Sequence, residues 1–272
     1  MTPPDRLNQR KIGAQLQRVL IVDGSASARL LADLLKQHDA KLVHIETTTG
    51  GALTACAALD PQMVFTELSG PGFDGLEFVR ALRRSTMSCR KTPVIVVTAE
   101  ATAATIIASR DSGVHEFIRK PFNMGDVTRR LEAVTLKSRP WVEAVHYIGP
   151  DRRRFNSAEY AGKRKRKSDG RQPTPADRIG QALKILRGAI DAVDTDPMQA
   201  LRAMQAQVAE LQAVALDTRD LNLAQAVFQL NQTLKLAALD GKMTRADLEV
   251  CSGGLWAFTP PETEADKARS AA

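Results

Sequence analysis

Short apolar runs alternate with amphipathic stretches over the first half of the chain. Five of these runs have the length of a buried strand, at residues 19–22, 43–45, 63–65, 94–97 and 116–118. The stretches between the runs place apolar residues at steps of three and four, which is typical of one face of a helix. Buried strands separated by helices favour a parallel sheet joined by right-handed crossovers. The pattern therefore predicts an α/β, doubly wound domain over residues 18–137.

The carboxyl ends of the predicted strands carry polar residues. Asp23, Glu67, Thr98 and Lys120 follow four of the five apolar runs. In doubly wound sheets the functional crevice lies beyond the carboxyl ends of the strands, near a point where the strand order reverses. These four residues are therefore the first candidates for a functional site.

The second half of the chain has a different pattern. Residues 138–175 are rich in charge, Gly and Pro, which predicts a linker or an extended arm. Residues 176–258 contain three stretches with apolar steps of three and four, and a fourth short helix is expected after Thr244, which with Asp247 resembles a capping box. We interpret this region as a small all-α helical interaction domain, and residues 259–272 as a disordered tail.

The amino-acid composition and the lengths of the apolar segments indicate which class of protein to expect. The 272 residues are 43% hydrophobic and 25% charged, as is usual for globular proteins. No window approaches the ~18 unbroken apolar residues of a membrane span, and the N-terminus lacks the apolar core of a signal peptide. We therefore expect a cytoplasmic protein without membrane insertion. The cysteines and histidines have neither metal nor redox spacing, so the sequence indicates no resident metal.

The net charge of +7 is concentrated in residues 151–167. A solvated linker kept open by its own repulsion is the simpler interpretation, and attraction of phosphate groups is the other. Aromatic, glycine and basic residues follow one another twice in this segment. Arginine pairs with phosphates and guanine edges and stacks on bases, so this arm is a possible nucleotide-binding segment. Its candidate residues are Arg152, Arg153, Arg154, Tyr160, Arg164 and Arg166.

The strand-end motifs resemble the receiver domain of two-component response regulators. The resemblance is carried by the first strand with its acidic end at 19–23, the Pro-Gly-Phe-Asp-Gly loop within 61–75, the fourth strand at 94–99 and the Phe-Ile-Arg-Lys-Pro-Phe segment at 117–122. It implies a flavodoxin-like sheet of five parallel strands. It also implies a bacterial signalling role, and arginine-rich extensions of some similar receivers bind cyclic di-GMP.

In that family an Asp at the end of the third strand accepts a phosphoryl group, and Mg²⁺ is held by it and by two acids after the first strand. The aligned sequence has Glu67 at the acceptor position and Gly24 in place of the second acid beside Asp23. With fewer carboxylates, Asp23 and Glu67 are expected to bind Mg²⁺ weakly, so no cofactor is predicted. The extra methylene of Glu67 displaces its carboxylate by an amount that costs ~100-fold in transfer rate, so we expect negligible phosphotransfer.

The other site residues of that family have counterparts in this sequence. Thr98 corresponds to the switch hydroxyl, Lys120 to the phosphoryl-binding lysine, and Phe117 to the switch aromatic. The longer Glu67 side chain is expected to carry its charge toward Thr98 and Lys120, where a charge-assisted hydrogen bond would imitate the phosphorylated state. A tolerated acid in an inert scaffold is the alternative interpretation.

These expectations lead to one functional hypothesis and one alternative, and they disfavour a conventional regulator controlled by phosphorylation through Asp23 and a noncanonical acceptor. The first is a non-enzymatic signalling adaptor, a phosphorylation-independent receiver that acts through protein–protein contacts and forms homo-oligomers through the helical domain or the last receiver helix. The alternative is an effector that binds c-di-GMP or nucleic acid through the arginine-rich arm. The helical region contains no histidine, which excludes a histidine phosphotransfer domain.

Overall fold

The computed structural model of the chain describes residues 3–137, 139–152, 173–240 and 244–260. Contacts divide it into two compact units. The first takes in the described residues up to Val142 and those from Tyr147 to Arg152, and the second takes in Glu143–His146 and the described residues from Pro173 onwards. Among the described residues, no helix is both long enough and apolar enough to cross a membrane.

A five-stranded parallel sheet forms the centre of the first unit. Its strands are β1 (Arg18–Val22), β2 (Leu42–Glu46), β3 (Met63–Thr66), β6 (Val94–Thr98) and β7 (Glu116–Arg119), in the spatial order β2-β1-β3-β6-β7. The short strands β4 (Ser69–Gly70) and β5 (Phe73–Asp74) pair with each other outside this sheet. Each strand of the five-stranded sheet coincides with a predicted run to within one residue at either end, which confirms the predicted fold class. The chain leaves β1 toward β2 and returns to place β3 on the other side, so the strand order reverses between β1 and β3.

Helices cover both faces of this sheet. They are α1 (Pro3–Ala14), α2 (Ala26–Gln37), α3 (Thr49–Leu59), α4 (Gly75–Arg84), α5 (Ala103–Asp111) and α6 (Met124–Leu136), with a short 3₁₀ helix at Ser88–Lys91. Alternate strand residues enter two separate cores, Val19 and Ile21 on one face and Leu20 and Val22 on the other. This alternation follows from the two-residue repeat of a strand.

Helix α1 was not predicted from the sequence. It follows no strand and contains few apolar residues, so it lacks the periodic signal of the other helices. Ile12 within it and Leu16 just after it are nevertheless buried in the core cluster formed with α2 and α6. The first unit therefore begins before residue 18, the boundary expected from the strand pattern.

Residues 141–150 differ from the expected linker. They contain two short paired strands, β8 (Trp141–Glu143) and β9 (Ile148–Pro150). Tyr147 and Ile148 are buried, and Tyr147 Oη donates a hydrogen bond to the Pro150 carbonyl at 2.5 Å. A Cβ on Gly149 would lie 2.6 Å from the Gly113 Cα, so this glycine permits close backbone packing that a charge-based analysis does not detect.

The second unit is helical, as predicted. Its elements are α7 (Pro175–Asp191), α8 (Pro197–Thr218), α9 (Leu221–Asp240), α10 (Arg245–Ser252) and a 3₁₀ helix at Gly253–Phe258. The expected N-cap at Thr244 is confirmed, because its side chain accepts from the Asp247 amide. Asp196 caps α8 in the same way by accepting from the Gln199 amide. The expected disordered tail lies outside the described residues from 261 onwards.

Candidate functional site

A pocket of about 450 Å³ opens at the carboxyl edge of the sheet, where β1 and β3 end. Loops after β1, β2 and β3 form its wall. The lining residues are Asp23, Gly24, Ser25, Thr47, Thr48, Glu67, Ser69, Gly70, Pro71 and Phe73. The strand ends therefore bring together the predicted acidic residues at the point where the strand order reverses.

The ammonium group of Lys120 lies between two carboxylates beside this pocket. Its Nζ is 2.8 Å from Asp23 Oδ2 and 2.5 Å from Glu67 Oε2. A third hydrogen bond, to Ser25 Oγ, is 3.2 Å long. The side chains are 14% (Lys120), 6% (Asp23) and 17% (Glu67) exposed, so this cluster is mostly shielded from water.

Backbone groups fix the second oxygen of each carboxylate. Asp23 Oδ1 accepts from the Ser25 amide at 2.7 Å, and Glu67 Oε1 accepts from the Leu68 amide at 2.8 Å. The hydroxyl of Ser27 also donates to Asp23, at 3.3 Å. Both carboxylates are thus held in orientation from two sides. The sequence analysis missed Ser25 and Ser27, which orient Asp23, although their spacing after Asp23 is visible in the sequence.

The loop after Glu67 is closed by tight backbone packing. Ser69–Gly70 (β4) pairs with Phe73–Asp74 (β5), and the Gly75 amide donates to the Leu68 carbonyl at 2.8 Å. A Cβ on Gly75 would collide with the Glu67 carbonyl, so only glycine fits there. Asp74 caps α4 by accepting from the amides of Leu76 and Glu77.

The contacts within this cluster shift the pKa values of Asp23 and Lys120. Burial by itself raises the pKa of Asp23, but hydrogen bonds from Lys120 and Ser25 outweigh it and leave this pKa below its usual value. Burial alone would lower the pKa of Lys120, whereas its hydrogen bonds to Asp23 and Glu67 raise it. Lys120 therefore carries its positive charge throughout the physiological pH range.

Thr98 and Phe117 lie near this cluster without joining it. Thr98 is buried, and its Oγ1 accepts from the Glu100 amide at 3.1 Å. Within the described part of the chain it makes no hydrogen bond to Glu67, so of the two contacts expected for Glu67 only the one with Lys120 is present. Phe117 is buried in the core on β7, with the Arg130 guanidinium 5.6 Å from its ring centroid.

The residues present form a poor donor set for Mg²⁺. Gly24 supplies no side-chain ligand, and both remaining carboxylates are already bound to Lys120. A divalent cation prefers several free oxygen ligands in near-octahedral arrangement, and here it would have to compete with the ammonium group for both of them. We therefore derive no chemical step through a metal at this site.

Of the candidate arm residues, only Arg152 is described. Its Nη1 lies 2.7 Å from Asp111 Oδ1, and its guanidinium carbon is 4.0 Å from the ring centroid of Tyr147. Arg152 is thus engaged in contacts within the first unit. The other candidates, Arg153, Arg154, Tyr160, Arg164 and Arg166, lie outside the described residues.

Known proteins resemble the first part of the chain. The KDP operon transcriptional regulatory protein KdpE of Escherichia coli is 34% identical over 117 residues, covering 43% of this chain and 50% of that protein. The DNA-binding response regulator MtrA of Mycolicibacterium paratuberculosis is 31% identical over 118 residues, with coverages of 43% and 50%. The chain therefore spans about half the length of these curated relatives.

Solved structures and a protein family also match the first part of the chain. A chemotaxis response regulator of Vibrio cholerae aligns with a TM-score of 0.41 at 23% identity, covering 44% of this chain and 98% of that structure. The family described as the response regulator receiver domain matches residues 19–132. Together with the parallel sheet and the Asp23–Lys120 pair, this match shows that residues 19–132 are a response regulator receiver domain of two-component signalling.

Proposed function

We propose that this receiver domain signals through protein–protein contacts without accepting a phosphoryl group at residue 67. The observation that carries the proposal is the position of Lys120, which binds Asp23 and Glu67 at once. A charged contact between the acceptor position and this lysine is therefore built into the sequence, and it forms without a phosphodonor.

The geometry of Glu67 argues against phosphotransfer. One carboxylate oxygen is bound to Lys120 and the other to the Leu68 amide. An attacking oxygen would have to give up one of these bonds before it could align with a phosphorus atom, and transfer depends on in-line positioning. Because residue 24 is glycine, the site lacks a carboxylate that would help to bind a metal ion, and a metal ion would offset the negative charge of the transferred group.

The same contact supports a fixed signalling state. A phosphoryl group at this site would present negative oxygens to Lys120, and Glu67 presents one in its place at 2.5 Å. Charge-assisted hydrogen bonds of this length are among the stronger ones in proteins. We infer a non-enzymatic adaptor whose surface remains in one state while its partners or its abundance vary.

Comparative co-purification tests this proposal. The full chain would serve as bait as wild type, Glu67→Gln and Glu67→Asp, with Glu77→Gln as a control for loss of an acid elsewhere in the unit. We expect specific partners to be lost with Glu67→Gln and kept with Glu77→Gln, because only the former weakens the contact with Lys120. Identical partner sets for all four proteins would contradict the proposal.

Binding of c-di-GMP or nucleic acid through the arginine-rich arm is the alternative. It is supported by the basic charge of residues 151–167, while the one described arginine, Arg152, already pairs with Asp111. Some relatives are DNA-binding regulators, but they match this chain over about half of their length. Calorimetric titration of c-di-GMP and of duplex DNA at low salt tests this alternative, and absence of heat with both would remove it.

A further inference from the structure

Helix α9 of the second unit has an exposed face of unusual composition. Its buried side consists of Leu223, Val227, Leu230 and Leu234, which enter the helical core. The opposite side is an exposed stripe, which we call the α9 stripe, made of Leu221, Gln225, Phe228, Gln229, Gln232 and Leu236. At about 100° per residue, the stripe spans roughly 100° of the helix surface, directly opposite the buried side.

The α9 stripe combines large apolar side chains with glutamines, and none of its residues is charged. Leu221 is 82% exposed, Phe228 57% and Leu236 60%, and the one ionisable side chain within residues 221–236 is Lys235, at the edge of the stripe. The exposed face of a helix that borders only water ordinarily carries charged residues. Large apolar residues grouped on one exposed face are instead typical of a surface that another element covers.

The stripe is also symmetric along the helix. About a midpoint between residues 228 and 229, Leu221 corresponds to Leu236 and Gln225 to Gln232, and Phe228 corresponds to Gln229. The outer pairs are therefore identical in residue type. An interface with a two-fold axis requires this self-complementarity, since residue i of one copy contacts residue j of the other and the reverse.

We propose that the α9 stripe packs antiparallel against the α9 stripe of a second copy of this chain. In that arrangement each Leu221 meets the partner's Leu236, each Gln225 can pair its amide with the partner's Gln232, and the two Phe228 rings meet near the axis. A neutral face offers no counter-charge to an acidic or basic partner. A second copy fits it without bringing like charges into contact, although each chain carries a net charge of +7.

The predicted dimer is reversible and tolerates salt. One helix pair buries less than the ~800 Å² per partner of a standard interface, so we expect dissociation in the micromolar range. The contact itself contains no ion pair. Added salt screens the repulsion between two chains of charge +7 and should therefore leave the affinity unchanged or raise it.

Sedimentation of the full chain from low micromolar to submillimolar concentration tests the proposal. We expect a monomer–dimer equilibrium for the wild type and at least tenfold weaker association for Phe228→Glu. Met198→Glu, which replaces a 62% exposed apolar residue on α8 outside the stripe, should dimerise like the wild type. Circular dichroism would establish that each variant keeps its helices.

Two paired substitutions test the direction of packing. Gln225→Lys combined with Gln232→Glu places opposite charges together in an antiparallel pair and like charges together in a parallel one. We expect this double variant to dimerise, and the combination of Gln225→Lys with Gln232→Lys to be monomeric. A monomeric wild type, a dimer insensitive to Phe228→Glu, or loss of the dimer with both double variants would each overturn the proposal.

Discussion

Two cations of the receiver domain lie at opposite ends of the same sheet and are stabilised in different ways. Lys120, at the carboxyl ends of the strands, is held by the carboxylates of Asp23 and Glu67. Arg83, on α4, is held at the amino ends by backbone carbonyls that precede β6 and β7. The carboxylates that hold the first cation line a pocket, whereas the second cation is 1% exposed.

Backbone carbonyls surround the Arg83 guanidinium. It donates to the carbonyl of Gly113 at 3.0 and 3.1 Å, to that of Arg90 at 2.6 Å and to that of Thr92 at 2.9 Å. The Trp141 ring centroid lies 5.2 Å from its central carbon. Burial lowers the pKa of Arg83, and its proton is retained because neutral carbonyls accept from four of its N–H groups.

The two sites differ in whether the groups around the cation can change. Carbonyls fixed in the backbone cannot exchange or be modified, so the Arg83 site joins α4 to two strands permanently. The carboxylates around Lys120 can be titrated, substituted or, in an ordinary receiver, phosphorylated. Glu67 keeps the second site charged, and under the proposed function it does so without a phosphoryl group.

The largest effect is expected at Arg83. Replacing it with Met leaves the carbonyls of Arg90, Thr92 and Gly113 without these donors; each buried acceptor left unsatisfied costs about 1–3 kcal/mol, so we expect a loss of about 4 kcal/mol in free energy of unfolding. Arg80→Met, at an exposed position on the same helix, should cost less than about 0.5 kcal/mol. Urea unfolding followed by Trp141 fluorescence, in a Trp256→Phe background, would measure both. Equal losses in the two variants would show that the carbonyl contacts contribute little.

A smaller loss is expected at Lys120. Replacing it with Met leaves two carboxylates facing each other, and we expect a loss of about 2 kcal/mol at neutral pH because water can reach this site. The loss should shrink in mild acid, as protonation of one carboxylate relieves the repulsion. Unfolding of Lys120→Met and of the exposed control Lys36→Met at pH 7 and 5 would test this. A pH-independent difference would contradict the two-carboxylate account.

The third effect concerns His115, beside Arg83. Burial and the nearby cations Arg83 and Arg139 hold the pKa of His115 well below 6.5, and its Nδ1 accepts from the Val94 amide at 3.3 Å. The unfolded chain then binds the proton more readily, so stability is complete above pH 6.5 and is lost as the pH falls below it.

For one such group the loss approaches about 1.4 kcal/mol per pH unit below 6.5. Replacement of His115 by Gln should flatten this slope. Burial also lowers the pKa of His38. His38→Gln therefore serves as a comparison, because it removes the contribution of His38 to the slope and keeps that of His115. Unfolding curves between pH 7 and 5 give the slopes, and an unchanged slope in His115→Gln would show that the histidine is already protonated in the folded state.

The sequence predicted those parts of the structure that depend on local periodicity. Strand runs such as Val19 to Val22, the helical second unit, and the convergence of Asp23, Glu67 and Lys120 all follow from side-chain spacing and the parallel topology. The hydroxyl of Thr98 was placed at the right strand end, but its hydrogen bond to the Glu100 amide depends on a loop conformation that spacing does not encode.

Features set by distant contacts could not be predicted in the same way. Arg83 looks like a surface residue of an amphipathic helix, and its burial depends on the carbonyls of Arg90 and Thr92, beyond the end of that helix, and of Gly113, 30 residues away. The hairpin around Tyr147 was interpreted as linker because charge dominates its neighbourhood. Its packing follows from close approach of Gly113 and Gly149, a pair separated by 36 residues.

The central claim is that the receiver is not phosphorylated at residue 67, and intact-mass measurement after incubation with acetyl phosphate and Mg²⁺ tests it most directly. The wild type, a double variant with Glu67→Asp and Gly24→Asp, and its parent Gly24→Asp would be acid-quenched and compared. The account predicts no phosphoryl group on the wild type or Gly24→Asp, and one on the double variant. A phosphoryl group on the wild type, mapped to Glu67 or Asp23, would contradict it.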